Sequence, residues 1–371
     1  MHGMRLVNTR TLRLEQFFKA AKTPPYAILS HTWGDNEVSL QHFHNESFRS
    51  SRKGFSKIKT ACQEAHRQGL DYLWVDTCCI DKTSSAELSE AINSMFKWYQ
   101  RSQICYAFCE DVEQASINFP NIRGTYNASK TEFAASRWFT RGWTLQELIA
   151  PKEVVFYNKD WLRIGEKSTS SELIKKITGI DTFILEGGPL PEVSVGRRMS
   201  WAVDRQTTRE EDIAYSLMGL FDINMPLLYG EGPKAFIRLQ EEILRQSDDH
   251  TLFAWRSAPE STIRGTASGL LADHPRNFRN FRSRTIGNPA KIHEVHTGHK
   301  DHIVRVWDHK APQNPITITN RGIRITTHVV DLHATWNPGQ SLIVILNCSP
   351  EEWNGQQVYI FNANMKTDMP G

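Results

Sequence analysis

Leu70-Asp-Tyr-Leu-Trp-Val-Asp76 is the stretch that decides the fold class, because it is a short apolar run that follows Gly69 and ends in an acid. A run of this length between turn signals is typical of a buried strand. Three other segments share the pattern: residues 26–30, 104–108 and 152–157. Amphipathic helical patterns lie between them, at residues 55–68 and in the segment that begins at Ser84. This alternation predicts an α/β domain with a parallel sheet and helices on both faces.

The sequence divides the chain into three predicted regions. Residues 1–162 carry the alternating strands and helices of the α/β domain. Residues 163–250 are predicted to be helical, with a capping-box pattern at Thr208-x-x-Glu211 like the one at Ser84-x-x-Glu87. Residues 251–371 become β-rich, with apolar runs such as the one at 342–346, so we expect a β-rich C-terminal domain.

The composition is that of a globular chain with nearly balanced charge. Among 371 residues there are 44 Lys and Arg against 41 Asp and Glu, and 39% are hydrophobic. A protein built to neutralise phosphates carries a larger basic excess, so we expect no nucleic-acid partner. The N-terminus has no apolar signal region, and no apolar run approaches the length of about 18 residues that spans a membrane. We therefore expect a cytoplasmic protein without a membrane span.

The cysteines and acids do not indicate a metal. Six cysteines are present and none forms a Cys-x-x-Cys pair, so we interpret them as reduced core residues of an intracellular protein. Cys78 and Cys79 at a strand end would point to opposite faces, which disfavours a shared metal ligand set. Asp76 and Asp81 are candidates for Mg²⁺, but two acids without a third ligand are more often structural. No metal site is predicted.

Three further motifs invite functional interpretations, and a structural interpretation is preferred for each. Gly230-Glu-Gly232 lacks the Walker A lysine and follows no strand, which disfavours phosphate binding. Histidine recurs at every third position from His293 to His302 without a helical apolar stripe, which favours a solvated loop. Segment 276–284 alternates arginine with phenylalanine, as single-strand nucleic-acid binders do. A helix with its phenylalanines packed inward explains that segment better.

The candidate site centres on Ser136-Arg-Trp-Phe-Thr-Arg-Gly-Trp-Thr-Leu-Gln-Glu-Leu-Ile-Ala150. If its second half is helical, Trp143 and Glu147 lie four residues apart on one face. The loop after Ser30, the acid Asp76 and the loop before Trp143 all lie at the predicted carboxyl edge of the sheet, where such folds bind ligands. The alternative is an ordinary amphipathic helix with a solvated Glu147.

Three blocks in this part of the chain resemble the fungal heterokaryon incompatibility (HET) domain. They are Tyr26-Ala-Ile-Leu-Ser-His-Thr-Trp-Gly34, Leu73-Trp-Val-Asp-Thr-Cys-Cys-Ile-Asp81 and Arg141-Gly-Trp-Thr-Leu-Gln-Glu-Leu148. Residues 207–219 and 225–232 resemble the region that commonly follows such domains. The resemblance implies a role in programmed cell death after fusion of genetically different hyphae.

The same segments also resemble, more distantly, a plant-type TIR domain with a flavodoxin-like parallel sheet. Residues 26–35 are similar to its first strand and loop, and the block from Ser136 to Leu148 is similar to its Ser-Arg-Trp-Cys-x-x-Glu-Leu block. TIR domains of that kind hydrolyse NAD⁺ with the glutamate of the block. The resemblance therefore implies that Glu147 is the catalytic acid and Trp143 the residue that stacks beside it.

The TIR resemblance also implies that the loop after the first parallel strand contacts the substrate, NAD⁺, and no cofactor is expected. With Asp76, which is added because of its place at the carboxyl edge of the sheet, the predicted substrate-binding residues are Ser30, His31, Thr32, Trp33, Gly34, Asp76 and Trp143. The chain has His-Thr-Trp where the TIR loop has Phe-Arg, so an arginine that could meet a phosphate is missing there. We expect a homo-oligomer on activation. The alternative is a non-enzymatic interaction module that triggers cell death by self-association.

Overall fold

The computed structural model describes residues 3–113, 132–256 and 270–282, together with Ile316 and short strands beyond residue 282. The chain forms two compact units. The first comprises Met1–Leu190 and Asp204–Gly232, and the second comprises Pro191–Val203 and Pro233–Gly371. The boundary expected at residue 162 falls between two paired strands of one sheet, and the helical region expected at 163–250 is shared between the units.

The first unit is built on a seven-stranded sheet. In chain order its strands are β1 (Met4–Asn8), β2 (Leu14–Phe17), β3 (Ala27–His31), β4 (Tyr72–Val75), β5 (Ile104–Phe108), β6 (Val154–Tyr157) and β7 (Arg163–Glu166). Their order across the sheet is β2-β1-β4-β3-β5-β6-β7. The four central strands are parallel, as predicted, and they are buried on both faces.

The edges of this sheet differ from the prediction, because the sheet is mixed. β1 and β2 form an antiparallel hairpin whose first strand also pairs antiparallel with β4, and β7 pairs antiparallel with β6. In the sequence, residues 5–20 predict one short strand and a helical turn, not a hairpin, and no strand is predicted at residues 163–166. Edge strands such as Leu14–Phe17 are partly exposed and lack the continuous apolar run that marked the central strands.

Helices cover the sheet. Those of the first unit are α1 (Leu40–Phe43), α2 (Glu46–Ser50), α3 (Lys53–Arg67), α4 (Asp76–Cys79), α5 (Ser85–Arg101), α6 (Glu132–Ala135), α7 (Thr144–Ile149), α8 (Ser171–Thr178), α9 (Thr182–Leu185) and α11 (Asp212–Tyr215). Single 3₁₀ turns occur at Ala20–Lys22, Arg137–Thr140, Leu190–Glu192 and Met218–Phe221. No helix among the described residues is long and apolar enough to cross a bilayer.

Two of these helices confirm the sequence patterns. α3 buries Phe55, Ile58, Cys62 and Ala65 along one stripe, and Gly69 follows its end with φ +81°. α5 begins after Ser84, whose side chain accepts from the Glu87 amide at 3.3 Å.

The capping predictions are only half correct. The Glu87 carboxylate does not return to Ser84 but accepts from the Asp81 amide and from Arg5. The Glu211 carboxylate likewise accepts from the amides of two glycines in the 228–232 loop instead of closing a box with Thr208. In both cases a distant partner competes successfully with the local one.

Cys78 and Cys79 correct another prediction, because they lie in the short helix α4 and not on a strand end. Both side chains are buried, and both cysteines are free thiols, as are Cys62, Cys105 and Cys109. Burial raises the pKa of Cys78 well above its usual range, so this thiol stays protonated and apolar.

The second unit contains α10 (Val195–Ser200), α12 (Lys234–Leu244) and 3₁₀ turns at His250–Phe253 and Pro275–Phe281. Phe278 and Phe281 are buried while Arg276 and Arg279 are exposed, which confirms the packing prediction for that segment. Its short antiparallel strands are β8 (Ile286–Gly287), β9 (Val295–His296), β10 (Ile303–Val304), β11 (Thr317–Thr319), β12 (Gly322–Arg324), β13 (His328–Asp331), β14 (Leu342–Ile345), β15 (Ser349–Pro350) and β16 (Tyr359–Ile360).

Parts of the sequence prediction lie outside the described residues. These are most of the long loop before α6 and most of the histidine-rich segment. The expected β-rich C-terminal domain stays a prediction for the same reason, although the strands described there agree with it.

Candidate functional site

Glu147 lies on α7, a helix whose six residues are all buried. Its side chain is 7% exposed, so the alternative of a solvated glutamate on an amphipathic helix is wrong. A site at this position also predicts that Glu147 is partly exposed in a cleft beside Trp143, and the carboxylate is more deeply buried than that. The helix is buried on all sides because it is enclosed by the sheet and by other helices of the first unit, including β3, α5 and α9.

Two linked hydrogen bonds hold the Glu147 carboxylate through residues that do not line the cavity, Ser30 and Trp138. The Ser30 hydroxyl, near the end of β3, donates to Glu147 Oε2 and accepts from Trp138 Nε1 at 2.8 Å. Ser30 and Trp138 are fully buried. Because the indole can only donate, it directs the single hydroxyl proton of Ser30 towards the carboxylate.

Burial dominates the electrostatics of Glu147. It raises the pKa of this carboxyl to about 8, although the hydrogen bond from Ser30 opposes the shift. The charge of Asp76 raises the pKa further, and Arg141 lowers it. No salt bridge to Glu147 occurs among the residues that the structure describes. The carboxyl is therefore mainly protonated at neutral pH, and a nearby cation would favour its ionised form.

A second acid, Asp76, follows β4 and is surrounded by donors. Its carboxylate oxygens lie 3.1 Å from His31 Nε2 and 2.8 Å from Trp33 Nε1. The Lys82 ammonium lies 3.4 Å from the centroid of the Trp33 ring. Burial alone would raise the pKa of Asp76, but Lys82, His31 and Trp33 together hold it well below its usual range. Asp76 is thus ionised, unlike Glu147.

His31 is also held on its other side. Its Nδ1 lies 3.6 Å from Glu37 Oε1, and the same oxygen accepts from Lys57 Nζ at 2.7 Å. The His31 ring thus lies between two carboxylates, but only its Nε2 is within hydrogen-bond distance of one, that of Asp76.

The segment from Asp204 to Gly232 supplies a second wall. Gly142 donates to the Gln206 carbonyl at 2.8 Å, and Gln206 donates back to the Thr140 carbonyl at 2.6 Å. A Cβ at position 142 would lie 2.4 Å from a Thr207 methyl carbon, so this close approach favours glycine. These contacts bring the segment alongside the start of α7.

An aromatic and acidic cluster follows on that wall. Asp212 accepts from Trp143 Nε1 at 3.3 Å and from the Tyr229 hydroxyl at 3.0 Å. The Arg209 guanidinium carbon lies 4.3 Å from the centroid of the Tyr229 ring. Glu211 accepts from the amides of Gly230 and Gly232, so those amides are already occupied, which agrees with our rejection of a phosphate loop there.

These walls enclose a cavity of about 280 Å³ within the first unit. Its size lies near the lower end of the range for small-molecule sites. The cavity is lined by His31, Trp33, Asp76, Ile80, Lys82, Leu88, Ile92, Met95, Tyr99, Arg141, Trp143, Thr144, Glu147, Thr208, Arg209, Asp212 and Tyr229. Ile92 and Met95 of α5 and Glu147 are buried, whereas Trp33 and Arg209 are exposed.

The structure brings together five of the eight residues that the sequence proposed for the site. His31, Trp33, Asp76, Trp143 and Glu147 line the cavity. The other three proposed residues do not line the cavity. Ser30 contacts Glu147 from behind, Thr32 is buried, and the Gly34 amide donates to Glu37.

Sequence reasoning missed all three cationic side chains other than histidine that line this cavity, Lys82, Arg141 and Arg209, and also Asp212 and Tyr229. Arg141 is the first residue of a recognised block and Lys82 directly follows another, so their charge was a usable signal. Arg209, Asp212 and Tyr229 come from a segment that the local pattern assigned to a separate helical region. Among the described residues, no group of three or more histidine, cysteine or acidic side chains is placed to hold a metal ion.

Comparison with known proteins agrees with the sequence blocks. Residues 26–147 match the family described as heterokaryon incompatibility protein (HET), and residues 234–361 match a domain of unknown function (DUF8212). The vegetative incompatibility protein HET-E-1 of Podospora anserina is 45% identical over 260 residues, which are 68% of this chain and 19% of that protein. The chain therefore spans only 19% of the length of this relative. No solved structure is significantly similar to the chain. Through residues 26–147, the chain belongs to the heterokaryon incompatibility (HET) domain family.

Proposed function

We propose that this chain is a cell-death effector of the heterokaryon-incompatibility type that hydrolyses NAD⁺ at the bond between nicotinamide and ribose. The observation that carries the proposal is Glu147, a deeply placed carboxyl that lines a cavity without an ion-pair partner among the described residues. An acid with a strongly perturbed pKa in a cavity is a candidate for catalysis. A glutamate engaged in an ion pair on a flat surface would have favoured an interaction module instead.

The sheet topology supports the TIR-like part of the proposal. The four parallel strands lie in the order β4-β3-β5-β6, which is the order 2-1-3-4 of a flavodoxin-like sheet. The cavity includes His31 at the carboxyl end of β3 and Asp76 just after β4, at the edge where such sheets bind ligands.

The chemistry requires only one carboxylate. Nicotinamide is already cationic in NAD⁺, so it leaves with the electron pair of the C1′–N bond and needs no proton from an acid. The ribose passes through an oxocarbenium-like state, as in glycoside hydrolysis. Water then adds to C1′ and releases a proton to the solvent. Glu147 stabilises the developing positive charge from the ribose face.

The burial of Glu147 suits this role. The positive charge of the bound pyridinium ring lowers the pKa of Glu147, so substrate entry favours the ionised form at the moment when it is needed. Trp143 and Trp33 offer indole rings in the same cavity on which a flat base can stack.

The biological role rests on the family and on the relative. HET-E-1 is named a vegetative incompatibility protein, and we propose the same role for this chain, with self-association on activation. The competing function is a non-enzymatic interaction module. Variants of Glu147, described next, distinguish it from the hydrolysis of NAD⁺.

The test follows nicotinamide release from NAD⁺ by the purified full chain, free and forced to self-associate. We expect Glu147→Gln and Glu147→Ala to lose at least about a hundredfold in turnover. Glu46→Gln is the matched control, because its side chain is 87% exposed, and it should keep wild-type turnover. Absence of turnover in the self-associated wild type, or equal turnover in the Glu147 variants, overturns the proposal. Toxicity that survives Glu147→Gln but fails when exposed positions of α5 are altered would favour the interaction module.

A further inference from the structure

Three cations line the cavity and come from three different parts of the first unit. Lys82 follows β4, Arg141 precedes α7, and Arg209 lies in the segment that forms the second wall. None of the three forms a salt bridge with a carboxylate among the residues that the structure describes. Cations gathered in one cavity without acidic partners are unusual, because side chains of one sign repel each other.

The acids of the cavity are held by other groups. Asp76 is contacted by His31 and Trp33, and Asp212 by Trp143 and Tyr229. The field of Lys82 does act on Asp76, and its ammonium lies on the Trp33 ring. Arg141 likewise acts on Glu147 and Arg209 on Asp212, but among the described residues neither arginine forms an ion pair with a carboxylate.

Arg141 and Arg209 lie at the same end of the cavity. Arg141 Nη1 donates to Thr208 Oγ1 at 3.3 Å, and Thr208 is the residue before Arg209. The Arg209 guanidinium lies over Tyr229, and Arg209 is exposed, whereas Glu147 is only 7% exposed. The cavity thus has an acid in its depth and two guanidinium groups towards its mouth.

We propose that Arg141 and Arg209, assisted by Lys82, bind the diphosphate of a dinucleotide at the mouth of this cavity. Guanidinium groups bind phosphate oxygens through paired N–H donors, which makes them suited to this ligand. The arrangement fits a substrate that has a cationic ring at one end and a diphosphate next to it. The inference deepens the proposed function and rests on it for the identity of the substrate. Arg141 and Arg209 would also take the part of the loop arginine that TIR domains have and this chain lacks. Because Arg209 lies outside residues 26–147, the binding site extends beyond the matched HET segment.

The first experiment measures binding and needs no turnover. Inorganic pyrophosphate is titrated into the full chain by calorimetry at low salt. Arg141→Gln and Arg209→Gln should each weaken binding about tenfold, because each loses charge-assisted hydrogen bonds. Arg209→Lys keeps the charge and should lose less than Arg209→Gln. Raising the salt should weaken binding to the wild type, since the mouth is open to solvent.

Arg10→Gln is the matched control for these variants. Arg10 is exposed and pairs with Asp71 at 3.2 Å, away from the cavity, so its loss should leave pyrophosphate binding unchanged. Thermal unfolding of every variant shows whether the fold is kept. The proposal is overturned if the folded Arg141→Gln and Arg209→Gln bind pyrophosphate as the wild type does, or if Arg10→Gln weakens binding equally.

The second experiment separates this site from the proposed reaction. Nicotinamide release is compared for NAD⁺ and for nicotinamide riboside, which has the cationic ring and ribose but no phosphate. Arg209→Gln should raise KM for NAD⁺ about tenfold with little change in kcat, and leave the riboside unaffected. An equal effect on both substrates contradicts the diphosphate site, while loss of activity in Glu147→Gln would still support the reaction. If NAD⁺ is not hydrolysed at all, the proposed reaction fails and the pyrophosphate titration alone decides on the anion site.

Discussion

Replacing Glu147 by glutamine should stabilise the protein at alkaline pH, because the native fold holds this carboxyl where its charge is unfavourable. Burial raises its pKa from the usual 4.5 to about 8. The native state therefore binds the proton more tightly than the unfolded state does, and the free energy of unfolding falls as pH rises between those two values. The slope is about 1.4 kcal/mol per pH unit, so the full penalty above pH 8 is about 5 kcal/mol. Glutamine has a similar shape and no charge at any pH.

The assay is urea unfolding of wild type and Glu147→Gln at pH 5, 7 and 9. We expect nearly equal stability at pH 5, an advantage of about 3 kcal/mol for the variant at pH 7 and the full difference at pH 9. Glu46→Gln, which removes an exposed carboxylate, should show no such trend. A difference between wild type and Glu147→Gln that does not change with pH would refute the electrostatic description of the site. A stability gain combined with lost turnover is the trade-off expected of a catalytic group.

Two further predictions concern residues that support the site. Ser30→Ala removes the hydroxyl that contacts Glu147 and leaves a buried indole N–H unpaired, so urea unfolding should show a loss of about 2–4 kcal/mol. Ser102→Ala, a buried serine with one local bond at 2.8 Å, should lose only about 1 kcal/mol, and an equal loss in both would contradict the prediction. Arg5→Gln breaks the pair with Glu87 beside α5, and because Arg5 lowers the pKa of Glu87, the variant should lose about 2 kcal/mol at pH 7. This loss should shrink as pH falls from the usual glutamate value of 4.5 through the lowered pKa of Glu87, because protonation removes the pair, and a loss that is constant with pH would argue against the ion pair.

The central sheet was predictable because its signals are local. The apolar runs around Trp74 and Tyr106 are continuous, so the strands that are buried on both faces were recognised. Their parallel direction followed from the helices between them. The edge strands were not recognised, since Leu14–Phe17 and Arg163–Glu166 are short and partly exposed. Their place in the sheet depends on a neighbouring strand that offers hydrogen bonds, and such pairing leaves little trace in the sequence.

The same division holds for the site. The sequence showed that Trp143 and Glu147 are four residues apart and that Asp76 follows a strand. This was enough to predict that the three residues share one site, and all three line the cavity. The sequence by itself also determined the family, because each of the blocks that define it is an unbroken run of residues. Only the tertiary structure showed that Glu147 is buried, since burial depends on what packs around α7 and not on the helix itself.

The far wall of the cavity was decided entirely by the tertiary structure. Arg209, Asp212 and Tyr229 lie 60 or more residues after α7, and backbone hydrogen bonds of Gln206 to positions 140 and 142 bring their segment alongside it. Backbone hydrogen bonds between distant segments use groups that every residue type has, so no side-chain pattern announces them. Periodicity therefore identified the acid and its helix, whereas long-range packing decided which charges surround that acid.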